Sequence, residues 1–336
     1  MPRRPTIKDL AQAAGVGTAT VDRVLNGRGH VSERMRQAVE RAAARIGYPL
    51  PAQGVAPRPD LRLGFVLHKS GQAFYQRFAQ EIETACVAYG PARITPALHY
   101  AQSQSPKDFA DAIHRAAEGS HAVAATAVNH PVLSRLSDAF RAEGMPLYCL
   151  LNDFGGRASA GYFGMDNMKV GRIAGWMMAM KLQRPARVGV FVGGARWHGQ
   201  ALRETGFRAA LREFAPQLGV TDTMVNLETR AVTYEATLDL LQRHEDFAGL
   251  YVAGGGMEGA IAALRDARPP RRVALIVNEL TEDSRAALVD GYALMVIATP
   301  LTALCRALVT RMAQEVSDHG DAPPLFEPRI YLPPSL

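Results

Sequence analysis

A short polar helix face near the N-terminus carries the first residues whose types and spacing suggest a chemistry. In the stretch TATVDRVL, residues 18–25, the apolar side chains of Val21, Val24 and Leu25 would turn towards a core. The opposite face includes Arg23, whose planar guanidinium can form two hydrogen bonds with the edge of a guanine. The residues of this outward face are Thr18, Ala19, Asp22 and Arg23. We therefore expect this face to contact DNA bases.

Three amphipathic helices position this face. Thr6 has the side chain of an N-cap, and Asp9 follows at the spacing of a capping box. Gly15 ends the first helix, Asn26-Gly27 ends the second, and Ser32 is expected to cap the third. Two short helices joined by a glycine turn are typical of a helix-turn-helix, whose second helix enters the major groove. A purely structural three-helix cap is the alternative interpretation.

The net charge of the chain is concentrated in the same region. Residues 1–59 hold ten lysines and arginines against four acidic residues, and this excess of six equals the formal net charge of the whole chain, +6. The rest of the chain is balanced, with 28 basic and 28 acidic residues. A basic helical head on a neutral body is typical of a DNA-binding module joined to a domain with another task.

Length and composition limit the class of protein. With 336 residues, 48% of them hydrophobic and 21% charged, the chain fits an ordinary soluble protein of two or three domains. It has no apolar run of membrane-spanning length, and MPRRPT lacks the apolar core of a signal peptide, so we expect a cytoplasmic, nucleoid-associated protein that does not bind membranes. Cys86, Cys149 and Cys305 lie far apart, which predicts buried thiols; we expect no metal, cofactor or catalytic residue.

From Leu61 onward the sequence alternates buried strands with helices. This alternation predicts parallel, doubly wound sheets, and nine strands fit two subdomains better than one. Ligands bind at the carboxyl ends of such strands, where Asn129, Asp153, Asn278 and Glu279 follow their strands directly. The predicted strands are 61–67, 92–100, 122–128, 146–151, 186–192, 221–227, 249–254, 271–277 and 293–299.

The head resembles the lactose/galactose repressor (LacI/GalR) family of bacterial transcription regulators. The matching segments are TIKDLAQAAGV, TATVDRVLNG, VSERMRQAV and IGYPL, in the order and spacing of the family. With looser motifs, the resemblance continues over nearly the whole remainder. It implies an N-terminal all-α helix-turn-helix headpiece plus an α/β periplasmic-binding-protein-like domain, in which two doubly wound parallel-sheet lobes enclose a ligand cleft.

The resemblance also implies roles for residues of the head. Thr18, Ala19 and Arg23 would face base edges. Asp22 stands where a serine is usual, and would accept a hydrogen bond from a cytosine amino group or point away from the phosphates. The residues that would hold phosphates are Thr6, Thr20, Asn26, His30 and Ser32.

Two further positions depart from the family pattern. Gly17 replaces a capping serine, at a cost of about a few tenths of a kcal/mol. The linker LPAQGVAPRPD, residues 50–60, stands where the family has a hinge helix with a leucine that wedges into the minor groove. Its three prolines and one glycine disfavour a helix, and Val55 is the remaining candidate for the wedge.

In the body, the resemblance implies an effector site. Phe74 and Tyr75 match an aromatic pair that lines the family's cleft, and Arg203 in ALRETGFRAAL resembles its ligand-gripping arginine. One of Asn278 and Glu279 would replace a ligand-binding aspartate. Asp166 and Asn167 fit helix caps better than ligands, and Ala298 replaces a common cleft glutamine. The candidate effector-binding residues are Phe74, Tyr75, Asn129, Asp153, Arg203, Asn278 and Glu279. The alternatives are that the two aromatic residues pack in a helix core and that Arg203 is an exposed helix residue.

A glycine-rich loop offers a competing interpretation. The segment GGGMEG, residues 254–259, fits the GxGxxG pattern, and Glu279 follows where a ribose-binding acid would stand. An NAD-type oxidoreductase would have this loop in its first βα unit, whereas here it is late in the chain and lacks an accompanying catalytic set. The resembled family has a glycine-rich cleft wall at this place, and a ligand phosphate at the helix N-terminus fits better than a dinucleotide.

The sequence thus predicts a DNA-binding regulator that acts as a repressor and whose operator affinity is controlled by a sugar, polyol or sugar phosphate. A homodimer would bind a near-palindromic operator of double-stranded DNA. An oxidoreductase and a binding protein without regulatory role are the alternatives. The predicted domains are a headpiece at 1–50, a linker at 51–60 and an effector domain at 61–336, with an N-lobe of 61–158 and 298–322 and a C-lobe of 159–297 and 323–336.

Overall fold

The computed structural model describes residues 5–26, 31–50, 58–315 and 325–335. The chain divides into two compact units, Met1–Pro59 and Asp60–Leu336, which we name the headpiece and the body. Most of the proline-rich linker, with Val55, lies outside the described residues, as does His30. No helix in the described ranges is both long and apolar enough to cross a membrane.

The headpiece consists of three helices, α1 (Ile7–Ala14), α2 (Thr18–Asn26) and α3 (Glu33–Ile46). Gly15 follows α1 with φ +68°, a left-handed conformation that favours glycine, and so allows the sharp turn into α2. The small core that joins the helices is formed by Leu10, Ala11, Val21, Val39, Ala42 and Ala43.

The helix caps of the headpiece agree only partly with the sequence. Thr6 and Asp9 form the predicted capping box, in which the Thr6 backbone N donates to Asp9 Oδ2 at 2.7 Å. Ser32 occupies the N-cap of α3, but its side chain makes no capping hydrogen bond, so the predicted cap is wrong in its chemistry. Gly17 supplies its carbonyl to Thr20 and Val21 without a capping side chain.

The body alternates strands with helices as the pattern predicts. Its first half contains β1 (Asp60–His68), α4 (Ala73–Ala88), β2 (Arg93–Ala101), α5 (Pro106–Ala117), β3 (Ala122–Ala125), α6 (Pro131–Ala142), β4 (Leu147–Leu150) and β5 (Gly161–Phe163). Its second half contains α7 (Asn167–Lys181), β6 (Ala186–Val192), α8 (His198–Phe214), β7 (Leu218–Val220), β8 (Met224–Val225), α9 (Arg230–Arg243), β9 (Phe247–Val252), α10 (Met257–Ala267), β10 (Ala274–Asn278), α11 (Glu282–Val289), β11 (Ala293–Ala298), α12 (Leu301–Glu315) and β12 (Arg329–Tyr331).

Two sheets define two lobes. The first has the strand order β2-β1-β3-β4-β5 and is parallel throughout. The second has the order β12-β11-β10-β9-β6-β7, with β8 also paired to β6, and β12 runs antiparallel to β11. Helix α12 follows β11 of the second sheet but packs in the core of the first, through Leu304 and Leu308. The predicted class, a helix-turn-helix head and two doubly wound lobes, is confirmed.

Some strand boundaries differ from the prediction. The predicted strand 221–227 contains the two residues of β8, while β7 precedes the predicted range and was not predicted; residues 221–223 separate the two pairings with β6. Strands β5 and β12 were not predicted; each has three residues, too few for a pattern. Because β5 pairs with β4, the first sheet extends beyond residue 158, where the predicted first lobe ends.

Candidate functional site

Helix α2 presents an exposed face on the surface of the headpiece. Val21 is fully buried and Val24 and Leu25 are half-buried, so the helix is anchored by its apolar side. Thr18, Ala19, Asp22 and Arg23 are exposed, as the amphipathic pattern predicts, and Thr20 is half-buried. A helix with a small, polar, exposed face can enter a DNA groove closely.

The predicted phosphate-binding residues lie on different helices of the headpiece. Thr6 and Ser32 are exposed at the N-termini of α1 and α3, where backbone N–H groups favour anions. The Thr6 hydroxyl already donates to Asp9 Oδ2, at 2.7 Å. Asn26 is the last residue of α2, and the structure describes its backbone alone.

In the body, the carboxyl ends of strands from both sheets surround one cavity. It holds about 760 Å³ of space not occupied by atoms, including its opening to solvent. Its lining residues are Gln72, Phe74, Tyr75, Thr126, Leu151, Asn152, Trp197, Gly199, Gln200, Arg203, Glu228, Gly254, Gly255, Met257, Glu258, Asn278 and Glu279.

The first lobe supplies an aromatic wall. Phe74 and Tyr75 begin α4, and their rings meet edge to face with centroids 5.1 Å apart. Tyr75 is buried and Phe74 is half-buried. Burial raises the pKa of Tyr75, so its hydroxyl stays protonated and can donate a hydrogen bond. Such a wall can pack against the C–H face of a sugar ring.

The second lobe supplies a polar wall centred on Arg203. This side chain is 9% exposed, and its Nε donates to Asn167 Oδ1 at 2.7 Å while Nη1 donates to the Ala253 carbonyl at 2.9 Å. Asn167 is held in turn by the Tyr162 hydroxyl, at 3.1 Å. Arg203 is therefore fixed before any ligand arrives, and the alternative of an exposed helix arginine is excluded.

Glu228 forms the centre of a second buried network. Its Oε1 accepts from Gln200 Nε2 at 2.7 Å and from the Gly255 backbone N at 3.3 Å. Its Oε2 lies 3.3 Å from Lys69 Nζ, across the boundary between the lobes. Nothing in the local sequence around Glu228 had indicated this position.

Asn278 and Glu279 both reach the cavity from the end of β10. Asn278 donates through Nδ2 to the Val252 carbonyl at 2.8 Å, and its buried Oδ1 has no partner among the described residues. Glu279 accepts from the Thr299 backbone N at 3.0 Å and from the Thr299 hydroxyl at 2.6 Å. Burial raises the pKa of Glu279.

Left-handed backbone conformations recur around this cavity. Leu151, Leu227, Glu228 and Glu279 have φ between +51° and +71°, and Lys69 has φ +50°. Such angles are uncommon for residues other than glycine and cost of order 1 kcal/mol or more each. Their concentration at one place indicates a surface shaped for binding.

Direct hydrogen bonds join the two lobes beside the cavity and hold them in a closed arrangement. Lys69 Nζ donates to the carbonyls of Leu227, at 3.2 Å, and Glu228, at 2.9 Å. Trp197 of the second lobe packs in a core cluster of the first, and its Nε1 donates to Gln104 Oε1 at 3.3 Å. Asn152 Oδ1 accepts from the Gly199 backbone N at 3.0 Å.

Two predicted residues lie outside the cavity. Asn129 and Asp153 both follow strands of the first sheet, but neither contributes to its lining. Asn129 Nδ2 donates to the Asp153 carbonyl at 2.6 Å, and its Oδ1 accepts from Asn152. These two residues therefore support Asn152, which the sequence did not single out although it is adjacent to Asp153.

The glycine-rich loop is a wall of the same cavity. A side chain on Gly254 would clash with Gln200, and one on Gly256 would clash with Thr233 and Asn226. Gly256 also has φ +90° at the start of α10. The glycines therefore make room for side chains of the protein, which accounts for them without a dinucleotide. The described residues contain no group of three or more His, Cys, Asp or Glu that could hold a metal ion.

Comparisons with known proteins agree with both units. Residues 6–49 match the family model "Bacterial regulatory proteins, lacI family", and residues 63–319 match "Periplasmic binding protein domain". The HTH-type transcriptional regulator GalS of Salmonella typhimurium is 25% identical over 270 residues, 78% of this chain and 75% of that protein. The regulator CelR of Thermobifida fusca is 52% identical over 46 residues, 14% of each chain.

Solved structures share the fold of the body. A solute-binding protein of Burkholderia graminis C4D1M, in complex with D-arabinose, has a TM-score of 0.75 at 14% identity and covers 82% of this chain and 96% of its own. GanP, a glucose-galactose binding protein from Geobacillus stearothermophilus, has a TM-score of 0.73 at 16% identity, over 82% of this chain and 99% of its own. The chain belongs to the lacI family of bacterial transcriptional regulators, with a body of the periplasmic binding protein type.

Proposed function

We propose that this protein is a repressor whose affinity for its operator is set by a sugar or polyol bound between the lobes. The observation that carries the proposal is the cavity, in which an aromatic wall of one lobe faces a preorganised polar wall of the other. This arrangement suits a ring with an apolar face and hydroxylated edges.

The closing contacts suggest how binding is transmitted. A ligand that touches both walls would add to the hydrogen bonds between Lys69, Leu227 and Glu228, and so would favour the closed arrangement. If the closed and open arrangements differ in operator affinity, ligand and DNA change each other's binding by the same factor.

On the DNA side, we propose that a cytoplasmic homodimer places two headpieces on a near-palindromic operator. Thr18, Ala19 and Arg23 would contact base edges, and Asp22 would accept from a cytosine amino group. Thr6, Thr20, Asn26, His30 and Ser32 would contact phosphates. The exposure of the outer face of α2 supports this assignment.

The test is thermal unfolding of the full chain with a panel of sugars and polyols, combined with selection of binding sites from random DNA. A ligand at one hundred times its Kd should add about 2.7 kcal/mol to the free energy of unfolding. We expect one class of ligand to stabilise the protein and to change its affinity for the selected DNA. Stabilisation without any change in DNA affinity would favour a binding protein without regulatory role.

A further inference from the structure

The charged residues of the cavity narrow the chemical class of the ligand, an inference that rests on the proposed function. Three carboxylates line it, from Glu228, Glu258 and Glu279. Arg203 is the one positively charged side chain in its lining, and Lys69 adjoins it through Glu228. Within the lining itself, the carboxyl groups therefore outnumber the positively charged side chain, while Arg77 and Arg230 act on Glu279 and Glu258 from outside it.

The three carboxylates differ in how well the protein satisfies them. Glu228 accepts from Gln200 and Gly255 and is paired with Lys69, and Glu279 accepts two hydrogen bonds from Thr299. Glu258, half-buried in the first turn of α10, accepts from its own backbone N–H and is attracted by Arg230 and Lys69, but it forms no ion pair within the described part of the chain. Its carboxylate is therefore the one left for a ligand.

Each amide side chain at the cavity uses at least one of its N–H donors within the protein. Gln200 Nε2 donates to Glu228, and Asn152 Nδ2 donates to the Ala127 carbonyl at 2.7 Å. Gln72 Nε2 donates to the Glu228 carbonyl at 3.3 Å. Asn278 is 2% exposed, with its Nδ2 bonded and its Oδ1 unpartnered. The cavity therefore offers acceptors at Asn278 Oδ1 and at the Glu258 carboxylate, beside the remaining N–H groups of Arg203 and the Tyr75 hydroxyl, so a matching ligand must present donors to the first two positions.

We propose that the effector is a polyhydroxylated molecule carrying a protonated amine, such as an amino sugar, whose ammonium group pairs with Glu258. A hydroxyl of the same ligand donates to Asn278 Oδ1, and the sugar ring packs against Phe74. A positive charge offsets part of the excess of carboxyl groups in the lining, and an ammonium group supplies three donors to the acceptors at Glu258.

Two further observations agree with a cationic ligand. Burial raises the pKa of Glu258 and Asp283 adds to the rise, which exceeds the opposing effect of Arg230 and Lys69, so a positive ligand relieves a charge that the protein holds at a cost. A phosphate monoester would bring about two negative charges to the same wall. Glu258 also occupies the helix N-terminus where a phosphate would bind. We therefore remove sugar phosphates from the expected effectors.

The test compares matched ligands on the full chain by thermal unfolding and calorimetry. The probes are D-glucosamine, D-galactosamine and D-mannosamine, each with its parent hexose, its N-acetyl derivative and its hexose 6-phosphate. We expect at least one amine to bind about tenfold or more tightly than its parent and its N-acetyl derivative, and the phosphates to be the weakest. Tighter binding by a parent hexose or a phosphate would overturn the inference and leave the proposed function standing. No binding by any member would overturn the inference, and the proposed function would be contradicted only if the wider panel of sugars and polyols also failed to stabilise the protein.

A charge-removing variant tests the assigned residue. Glu258→Gln keeps the shape of the side chain and should weaken binding of the amine about tenfold, with less than about threefold effect on the parent hexose. Glu235→Gln removes one negative charge from an exposed position of α9 and should change neither. Equal losses for amine and parent in Glu258→Gln, or an unchanged amine affinity, would contradict the pairing with Glu258.

Discussion

Arg23 and Arg203 show how differently one residue type is presented in the two units. Arg23 is exposed on the outer face of α2, in a short helix anchored by the fully buried Val21. Arg203 is buried, and two of its nitrogens are held by Asn167 and the Ala253 carbonyl. An exposed arginine is ordered by its partner on binding, whereas a buried one is ordered by the fold. Substitution of the two arginines should therefore affect stability and binding in different ways.

Arg203→Ala should have the largest effect. The substitution leaves the Asn167 amide and the Ala253 carbonyl without their charged donor, which should lower the free energy of unfolding by about 2–3 kcal/mol and abolish the ligand-induced stabilisation. Denaturant unfolding and calorimetry measure both effects. Arg212→Ala, at an exposed position of the same helix, is the control. A variant that keeps its ligand response would place the binding site elsewhere.

Arg23→Ala should affect DNA alone. We expect a loss of about 1–3 kcal/mol in discrimination between the selected site and random DNA, with a salt-dependent background that remains. The free energy of unfolding should stay within about 0.5 kcal/mol of the wild type, because the side chain is exposed. Arg34→Ala, an exposed position of α3, should instead weaken binding to all sequences equally. Preserved discrimination in Arg23→Ala would contradict the assignment of α2.

Phe74→Ala tests the wall that faces Arg203. Removal of the ring should weaken every bound sugar by a similar factor of about ten, because the ring packs against the C–H face that these sugars share. Calorimetry with charged and neutral ligands measures this factor, and Phe214→Ala, a largely exposed ring outside the cavity lining, is the control. A loss confined to one ligand would show that the aromatic wall is selective.

The smallest effect should come from His68, which lies behind the cavity among the rings of Tyr75, Phe109 and Trp197. Burial lowers its pKa from 6.5 to about 4, against the attraction of Glu228. The unfolded chain therefore binds a proton that the folded chain does not, and stability is lost as the pH falls below about 6.5. We expect the wild type to lose about 1–2 kcal/mol relative to His68→Phe between pH 6.5 and 5 in urea unfolding. Parallel curves for the two proteins would contradict this.

The two units also differed in how far the sequence predicted them. The exposed face of α2 follows from local periodicity, since Val21, Val24 and Leu25 fix which side is buried. At the cavity, the resemblance to the family singled out Phe74, Tyr75 and Arg203, and all three line it.

The cavity residues that were not predicted stand in no recognisable pattern of the local sequence. Glu228 reaches the cavity because Leu227 and Glu228, both with left-handed backbone, follow the two-residue strand β8. Trp197 reaches it because its side chain packs in the core of the other lobe. Asn152 was missed in favour of Asp153 because a shift of one residue reverses the direction of a side chain after a strand. Such positions depend on contacts between segments far apart in the sequence.

Most of the hydrogen bonds that close the lobes involve side chains of the first lobe. Lys69, Gln72 and Gln104 donate to the backbone carbonyls of Leu227 and Glu228 in the second lobe. In the opposite direction, Trp197 Nε1 and the Gly199 backbone N donate to Gln104 and Asn152. Gln104 does not line the cavity, so its replacement changes the population of the closed form without changing the ligand-contacting surface. Since apparent affinity scales with that population, substitutions there would give a graded series of biosensors that report one ligand over different concentration ranges.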